Sequence, residues 1–134
     1  MREILFHGKR ADNGEWVEGF YLYTNENTQP VIIDMECCSN VITPETVGQF
    51  TGLTDRNGKK IFEGDICKFK RFNDVHIGKV VFNVTTASFI MWYQPIVGAY
   101  GEKATQKMLL SVCDNIEVVG NIHDNPELME QEDT

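Results

Sequence analysis

The 134-residue sequence lacks any long apolar run. Residues 1–10 contain only three consecutive apolar side chains, whereas a secretory signal needs about 7–15. No window approaches the roughly 20 apolar residues of a membrane-spanning helix. We therefore expect a cytoplasmic protein that does not enter a membrane.

The four cysteines lack the spacing of a metal site. Cys37 and Cys38 are adjacent and would point to opposite faces of a strand, while Cys67 and Cys113 are isolated. There is no Cys-x-x-Cys pair, and the three histidines are scattered. Cysteines of this kind stay reduced in a cytosolic compartment. We predict four free thiols, most of them buried, and no metal or other cofactor.

Recognisable catalytic motifs are also missing. The sequence contains neither Gly-x-Ser-x-Gly nor a glycine-rich phosphate-binding loop. Glu18, Glu63 and Asp65 adjoin glycines in predicted turns, where carboxylates hydrogen-bond the backbone instead of forming an acid–base pair. These absences predict that the protein is not an enzyme.

Charge is distributed unevenly along the chain. The composition is 42% hydrophobic and 24% charged, as in a globular protein. The net charge of −8 argues against a general affinity for nucleic acid or anionic membranes. However, the segment from Arg56 to Lys79 contains seven bases and three acids, so it carries +4 and the remainder carries −12.

Alternating apolar and polar residues predict a β-rich protein. Asn-Gly pairs at 13–14 and 57–58 predict tight hairpin turns with positive φ angles. Proline after a capping residue predicts short helical turns at Pro44, closed by Gly48, and at Pro126. Residues 94–101 are interpreted as a loop, and 107–112 are ambiguous between strand and helix. The predicted strands are 3–7, 16–23, 31–35, 66–70, 79–84, 89–93 and 116–122, and residues 50–53 are predicted to be extended.

Three blocks of the sequence resemble the YopX family of bacteriophage and prophage proteins. They are REILFHGKR with NGEWVEG near the start, TPETVGQFTGL with DRNGKKIFEGDI in the middle, and IEVVGNIHDNPEL near the end. The resemblance implies an accessory protein of unassigned biochemical role in a bacterial host, with a C-terminal SH3-type roll. The predicted fold is mainly β: an N-terminal β-meander over 1–46, the roll over 47–124, and a short helix and acidic tail over 125–134.

Two functional hypotheses remain open. The first is a non-enzymatic module that binds a host or phage protein, and the second is a nucleic-acid-binding module that uses the Arg56–Lys79 segment. Outward aromatic side chains beside its lysines would suit single strands, but about 6–10 phosphate contacts need more concentrated cations. The candidate partner-binding residues are Arg56, Lys59, Lys60, Lys68 and Lys70.

Self-association is a further expectation. Pro30 suits the start of an edge strand, so the predicted strand 31–35 is a candidate edge. Its alternate residues Val31, Ile33 and Met35 are apolar, and an uncovered edge of this kind pairs with a second chain. The alternative is that these side chains pack in their own core.

Overall fold

The computed structural model describes residues 3–23, 28–71, 74–93, 106–109 and 113–129. These residues form eleven strands and two single 3-10 turns. The predicted mainly β fold is confirmed. The strands are β1 Phe6–Lys9, β2 Trp16–Leu22, β3 Val31–Ile33, β4 Ser39–Val41, β5 Gly48–Thr54, β6 Lys60–Phe62, β7 Asp65–Arg71, β8 Asp74–Asn83, β9 Ser88–Tyr93, β10 Gln106–Leu109 and β11 Asp114–Asn121.

The chain divides into two compact units, residues 1–52 and residues 53–134. β5 begins in the first unit and ends in the second. The three-part division predicted at residues 46/47 and 124/125 stays a prediction.

In the first unit, β1 to β4 form the predicted antiparallel meander, with β5 beside β1. One face of this sheet is buried, and Leu5, Ile32 and Ile42 are at most 1% exposed. Alternation of side chains along each strand separates this buried face from the opposite one.

Gly19 of β2 allows β2 and β3 to approach each other. A Cβ atom at this position would overlap the carbonyl oxygen of Ile33. Any larger residue would therefore push the two strands apart.

The edge strand of the first unit was predicted wrongly. β3 is paired with β2 on one side and with β4 on the other, so it is not an edge. The strand ends at Ile33 because the Asp34 carboxylate accepts the backbone N–H groups of Glu36 and Cys38 and turns the chain. β4 was missed because Ser39 and Asn40 have low strand propensity.

The turn residues also differ in detail. Gly14 and Gly58 have positive φ angles of 74° and 83°, but the preceding asparagines do not, so each hairpin uses one left-handed residue instead of two. Gly48 does not close the 3-10 turn Pro44–Thr46. That turn ends at Val47, which is extended, and Gly48 begins β5.

The second unit is built on a five-stranded antiparallel sheet in the order β10-β9-β8-β7-β11. Its hydrophobic core comprises Ile61, Cys67, Phe69, Val80, Met91, Tyr93 and Ile116. β8 begins five residues earlier than predicted, and the ambiguous segment near 107 contributes strand β10. The SH3-type classification stays a prediction, and the predicted loop 94–101 lies outside the described residues.

The predicted C-terminal helix is a single 3-10 turn, Pro126–Leu128. It follows a turn in which the Asn121 side chain accepts the backbone N–H groups of His123 and Asp124. Among the described residues, both helical segments are three residues long, so neither approaches the length and apolarity of a membrane-crossing helix.

Candidate functional site

The β5–β6 loop is fixed by the carboxylate of Asp55, which is 7% exposed. Its Oδ1 accepts the backbone N–H groups of Asn57 and Lys59 at 2.8 and 2.9 Å, and its Oδ2 accepts that of Val118 at 3.0 Å. Burial acts to raise the pKa of Asp55, but the three N–H donors outweigh it, so the pKa lies below its ordinary value. The carboxylate is thus a charged anchor for the loop.

The same loop is attached to β11 through Arg56. Its backbone N–H donates to the carbonyl oxygen of Ile116 at 2.8 Å. β11 has a bulge here, since Asp114 lies opposite Lys70 and Glu117 lies opposite Lys68. The bulge turns Ile116 toward the core and leaves Glu117 on the other face of the sheet.

Lys68 and Lys70 lie on the face of β7 opposite the core. Both are exposed, whereas the intervening Phe69 is 1% exposed, as strand alternation requires. With Arg56 they border a small cavity of about 60 Å³, which we call the β7–β11 groove. The groove is lined by Arg56, Lys68, Phe69, Lys70, Val75, Asn115 and Glu117.

The groove carries a positive charge that Glu117 offsets in part. Three cations line it against one carboxylate. The Nη1 atom of Arg56 lies 4.0 Å from Oε2 of Glu117, and both side chains are substantially exposed. An exposed ion pair at this distance contributes about 0–1 kcal/mol, so it does little to hold Arg56 away from another anion.

Lys59 and Lys60 do not line the groove. The ammonium group of Lys59 acts on the carboxylates of Asp55 and Asp65, where burial acts to raise each pKa and the positive charge of Lys59 partly opposes it. Lys60 begins β6 and is half-buried. The five predicted residues therefore separate into two groups. Arg56, Lys68 and Lys70 converge, while Lys59 and Lys60 lie elsewhere.

An aromatic–cation pair lies on the same face of this sheet. Lys79 is opposite Trp92, and its Nζ atom lies 4.8 Å from the ring centroid. The register places Lys79 opposite Ile66 and Lys68 opposite Ile77, so Lys79 is a diagonal neighbour of Lys68 on this face. Trp92 does not line the groove, so the stacking surface considered from the sequence is not part of it.

No sequence pattern pointed to Asn115, Glu117 or Val75 as groove residues. They reach the groove through the β11 bulge, where Asn115 has a φ of 51°, and through the pairing of Val75 with Lys70. A bulge has no motif in a single sequence, although a left-handed asparagine is typical of one.

The thiols of the second unit are poor nucleophiles. Burial raises the pKa of Cys113 to about 11 and raises that of the fully buried Cys67 further. Cys37 and Cys38 are exposed, contrary to the expectation that most cysteines are buried. In the part of the chain that the structure describes, histidine, cysteine and acidic side chains form no cluster able to hold a metal ion.

The folded chain is an antiparallel all-β protein with a small cationic groove. The family model of the YopX protein matches residues 5–130, and the chain belongs to this family. The chain is also similar to a solved structure, protein EF1440 from Enterococcus faecalis, at 23% identity and a TM-score of 0.59 over 96% of this chain and 99% of that one. At this identity the likeness concerns the fold. No curated protein matches the chain.

Proposed function

We propose that this YopX-family protein is a non-enzymatic binding module that holds an acidic segment of a protein partner, from host or phage, in the β7–β11 groove. The observation that carries the proposal is the convergence of Arg56, Lys68 and Lys70, from two separate elements, on one cavity.

The size and lining of the groove suit a carboxylate side chain. A cavity of about 60 Å³ has room for a few waters or one such group. Arg56 offers a planar donor fork, and the two lysines add positive charge on the adjoining strand. Val75, which is 45% exposed, supplies an apolar contact beside the charges. This combination favours an acidic peptide with interspersed apolar residues.

Electrostatics also support a protein partner. The segment 56–79 carries +4 in a chain whose remainder carries −12. An acidic partner is attracted to this segment and repelled elsewhere, which orients the encounter. We expect binding to weaken as salt concentration rises.

A matched pair of double variants tests the proposal. Lys68→Ser/Lys70→Ser removes two cations from the groove, whereas Lys59→Ser/Lys60→Ser removes two from outside it. The probe is a fluorescent Glu-rich peptide with two leucines, measured by anisotropy at low salt. We expect the groove variant to lose about fivefold or more in affinity and the control variant to change little. Equal losses of affinity in the two variants would mean that the peptide binds at the β5–β6 loop, or that it responds only to the net charge of the protein.

Binding of single-stranded nucleic acid is the second candidate, and the Lys79–Trp92 pair favours it. Three groove cations fall short of about 6–10 phosphate contacts. A fluorescent single-stranded DNA in the same assay distinguishes the two. Tighter binding to DNA than to the peptide, lost in Trp92→Ala, would favour this candidate over the first.

A further inference from the structure

The first unit has an apolar sheet face that the described residues of the chain leave exposed. In β2, β3 and β4, directly paired residues share a face, and Phe20 is opposite Ile33 while Leu22 is opposite Val31. Val31 is in turn opposite Val41. The β2–β4 apolar face consists of Phe20, Leu22, Val31, Ile33 and Val41.

The two faces of these strands have opposite environments. On one face Ile32 and Asn40 are paired and at most 6% exposed. On the other, Phe20, Leu22 and Val41 are 58%, 51% and 45% exposed. The exposed face of these strands is thus also apolar, which is unusual for an antiparallel sheet.

The size of the face fits the centre of a protein interface. Five neighbouring apolar side chains present on the order of 300–400 Å², about the largest patch that a monomer ordinarily exposes. Two such faces together would bury roughly 600–800 Å² of a standard interface of about 1,600 Å², with the remainder supplied by a polar rim. This area is enough for a weak dimer.

The net charge of the chain indicates which kind of partner covers the β2–β4 apolar face. The five side chains of the face are uncharged, so the matching surface must also be apolar. The net charge of −8 opposes an anionic membrane. It also opposes contact between two copies, except through an uncharged patch such as these five side chains. The exposed Glu18, two residues before Phe20 on the same face, lies at the rim of this patch. A second copy supplies an identical apolar face by symmetry, so one patch provides both halves of the interface.

We propose that the β2–β4 apolar face is a dimerisation surface on which a second copy packs face to face. The two first-unit sheets form a sandwich about 10 Å apart, with Val31 of the middle strand β3 near the centre of the contact and Phe20 on the flanking strand β2. This surface lies in the first unit and does not depend on the groove proposed above. It is the face of the sheet that associates, not the strand edge predicted from the sequence.

Sedimentation equilibrium of the whole chain in reducing buffer tests the proposal. We expect a monomer–dimer equilibrium with a Kd in the micromolar range. Phe20→Lys should raise the Kd at least about tenfold, because two added charges would be desolvated within the interface. The matched control is Val84→Lys, since Val84 is 83% exposed in the second unit and lies outside the face. Its Kd should stay unchanged.

Methyl NMR gives an independent measurement on the unaltered protein. The resonances of Val31 and Ile33 should shift with protein concentration, whereas those of Val84 should not. A protein that stays monomeric up to hundreds of micromolar would overturn the proposal, as would equal Kd values for Phe20→Lys and Val84→Lys. Binding to neutral phosphatidylcholine vesicles that Phe20→Lys abolishes, without dimerisation, would assign the face to lipid instead.

Discussion

The two units bury their strands in different ways. The second unit has a core cluster of its own, to which both β6 and the sheet β7 to β11 contribute. The first unit buries one face of its meander around Ile32 and leaves Phe20, Leu22 and Val41 exposed on the other. Apolar alternation alone therefore does not show which apolar face is covered. Exposed apolar side chains occur in both units, since Phe82 of the second unit is 41% exposed, but among the described residues only the first unit has a core strand pair whose opposite face is apolar and exposed over three strands.

The largest expected effect is a difference in unfolding free energy between Phe69→Ala in the second unit and Phe20→Ala in the first. Phe69→Ala removes a ring that is 1% exposed and packs against Tyr93 edge-on at 5.0 Å, so it should cost about 3–5 kcal/mol of unfolding free energy. Phe20→Ala removes a ring that is 58% exposed and should cost less than about 1 kcal/mol in the monomer. Urea denaturation at low protein concentration measures both. Equal costs would mean that the face of Phe20 is buried in the monomer.

The second prediction concerns two carboxylates with opposite pH responses. Burial raises the pKa of Asp65 to about 6, despite a hydrogen bond from the Phe62 N–H at 2.8 Å. Its proton is therefore bound more tightly in the folded protein, and folding loses stability as pH rises from about 4 through 6. The loss is about 2–4 kcal/mol. Asp65→Asn should abolish this pH dependence because an amide does not titrate, and its oxygen still accepts the Phe62 N–H.

Asp34 of the first unit provides the contrast. Hydrogen bonds from the Cys38 N–H and the Asn40 side chain lower its pKa. Its contribution to stability is therefore present above its ordinary pKa near 3.8 and is lost as pH falls through the lowered value.

Amide exchange tests the assignment of Asp65. Between pH 4 and pH 7, the protection of β7 should decrease with pH in the wild type but not in Asp65→Asn. Protection that increases with pH in β7 would contradict the assignment of Asp65.

The smallest effect concerns the thiols and leaves stability unchanged. Cys37 and Cys38 are exposed in the first unit, whereas Cys67 is fully buried in the second. Iodoacetamide should modify the first two in the native protein, and Cys67 should react only after denaturation. Mass spectrometry without reductant should then count four alkylated thiols. Fewer than four would mean that a disulfide is present.

Much of the fold followed from local patterns. Alternation placed β2, β7, β9 and β11 to within one or two residues, because each contains β-branched or aromatic residues at regular spacing. β4, β6 and the first half of β8 were not predicted. Ser39 and Asn40 form a strand because Asn40 is held by the carbonyl oxygen of Ile32 at 3.1 Å. That contact depends on residues eight positions apart and on a turn between them.

The candidate site was predicted in composition but not in geometry. A run of cations between Arg56 and Lys79 is visible in the sequence, and strand alternation correctly exposes Lys68 and Lys70. Alternation does not reveal that Arg56 lines the groove with these lysines while Lys59 does not. The position of Arg56 depends on the hydrogen bond from the Val118 N–H to Asp55, which links positions 63 residues apart and fixes the loop on β11.

By itself, the sequence determined the β class, the hairpin glycines, the charge asymmetry and the resemblance to the YopX family. Each of these depends on the identity of residues within a few positions of one another. Long-range strand pairing selects which cations meet in the groove and which apolar face of β2 to β4 remains exposed. Both depend on strand register, since a shift of one residue moves a side chain to the opposite face of the sheet, and the groove depends also on the β11 bulge.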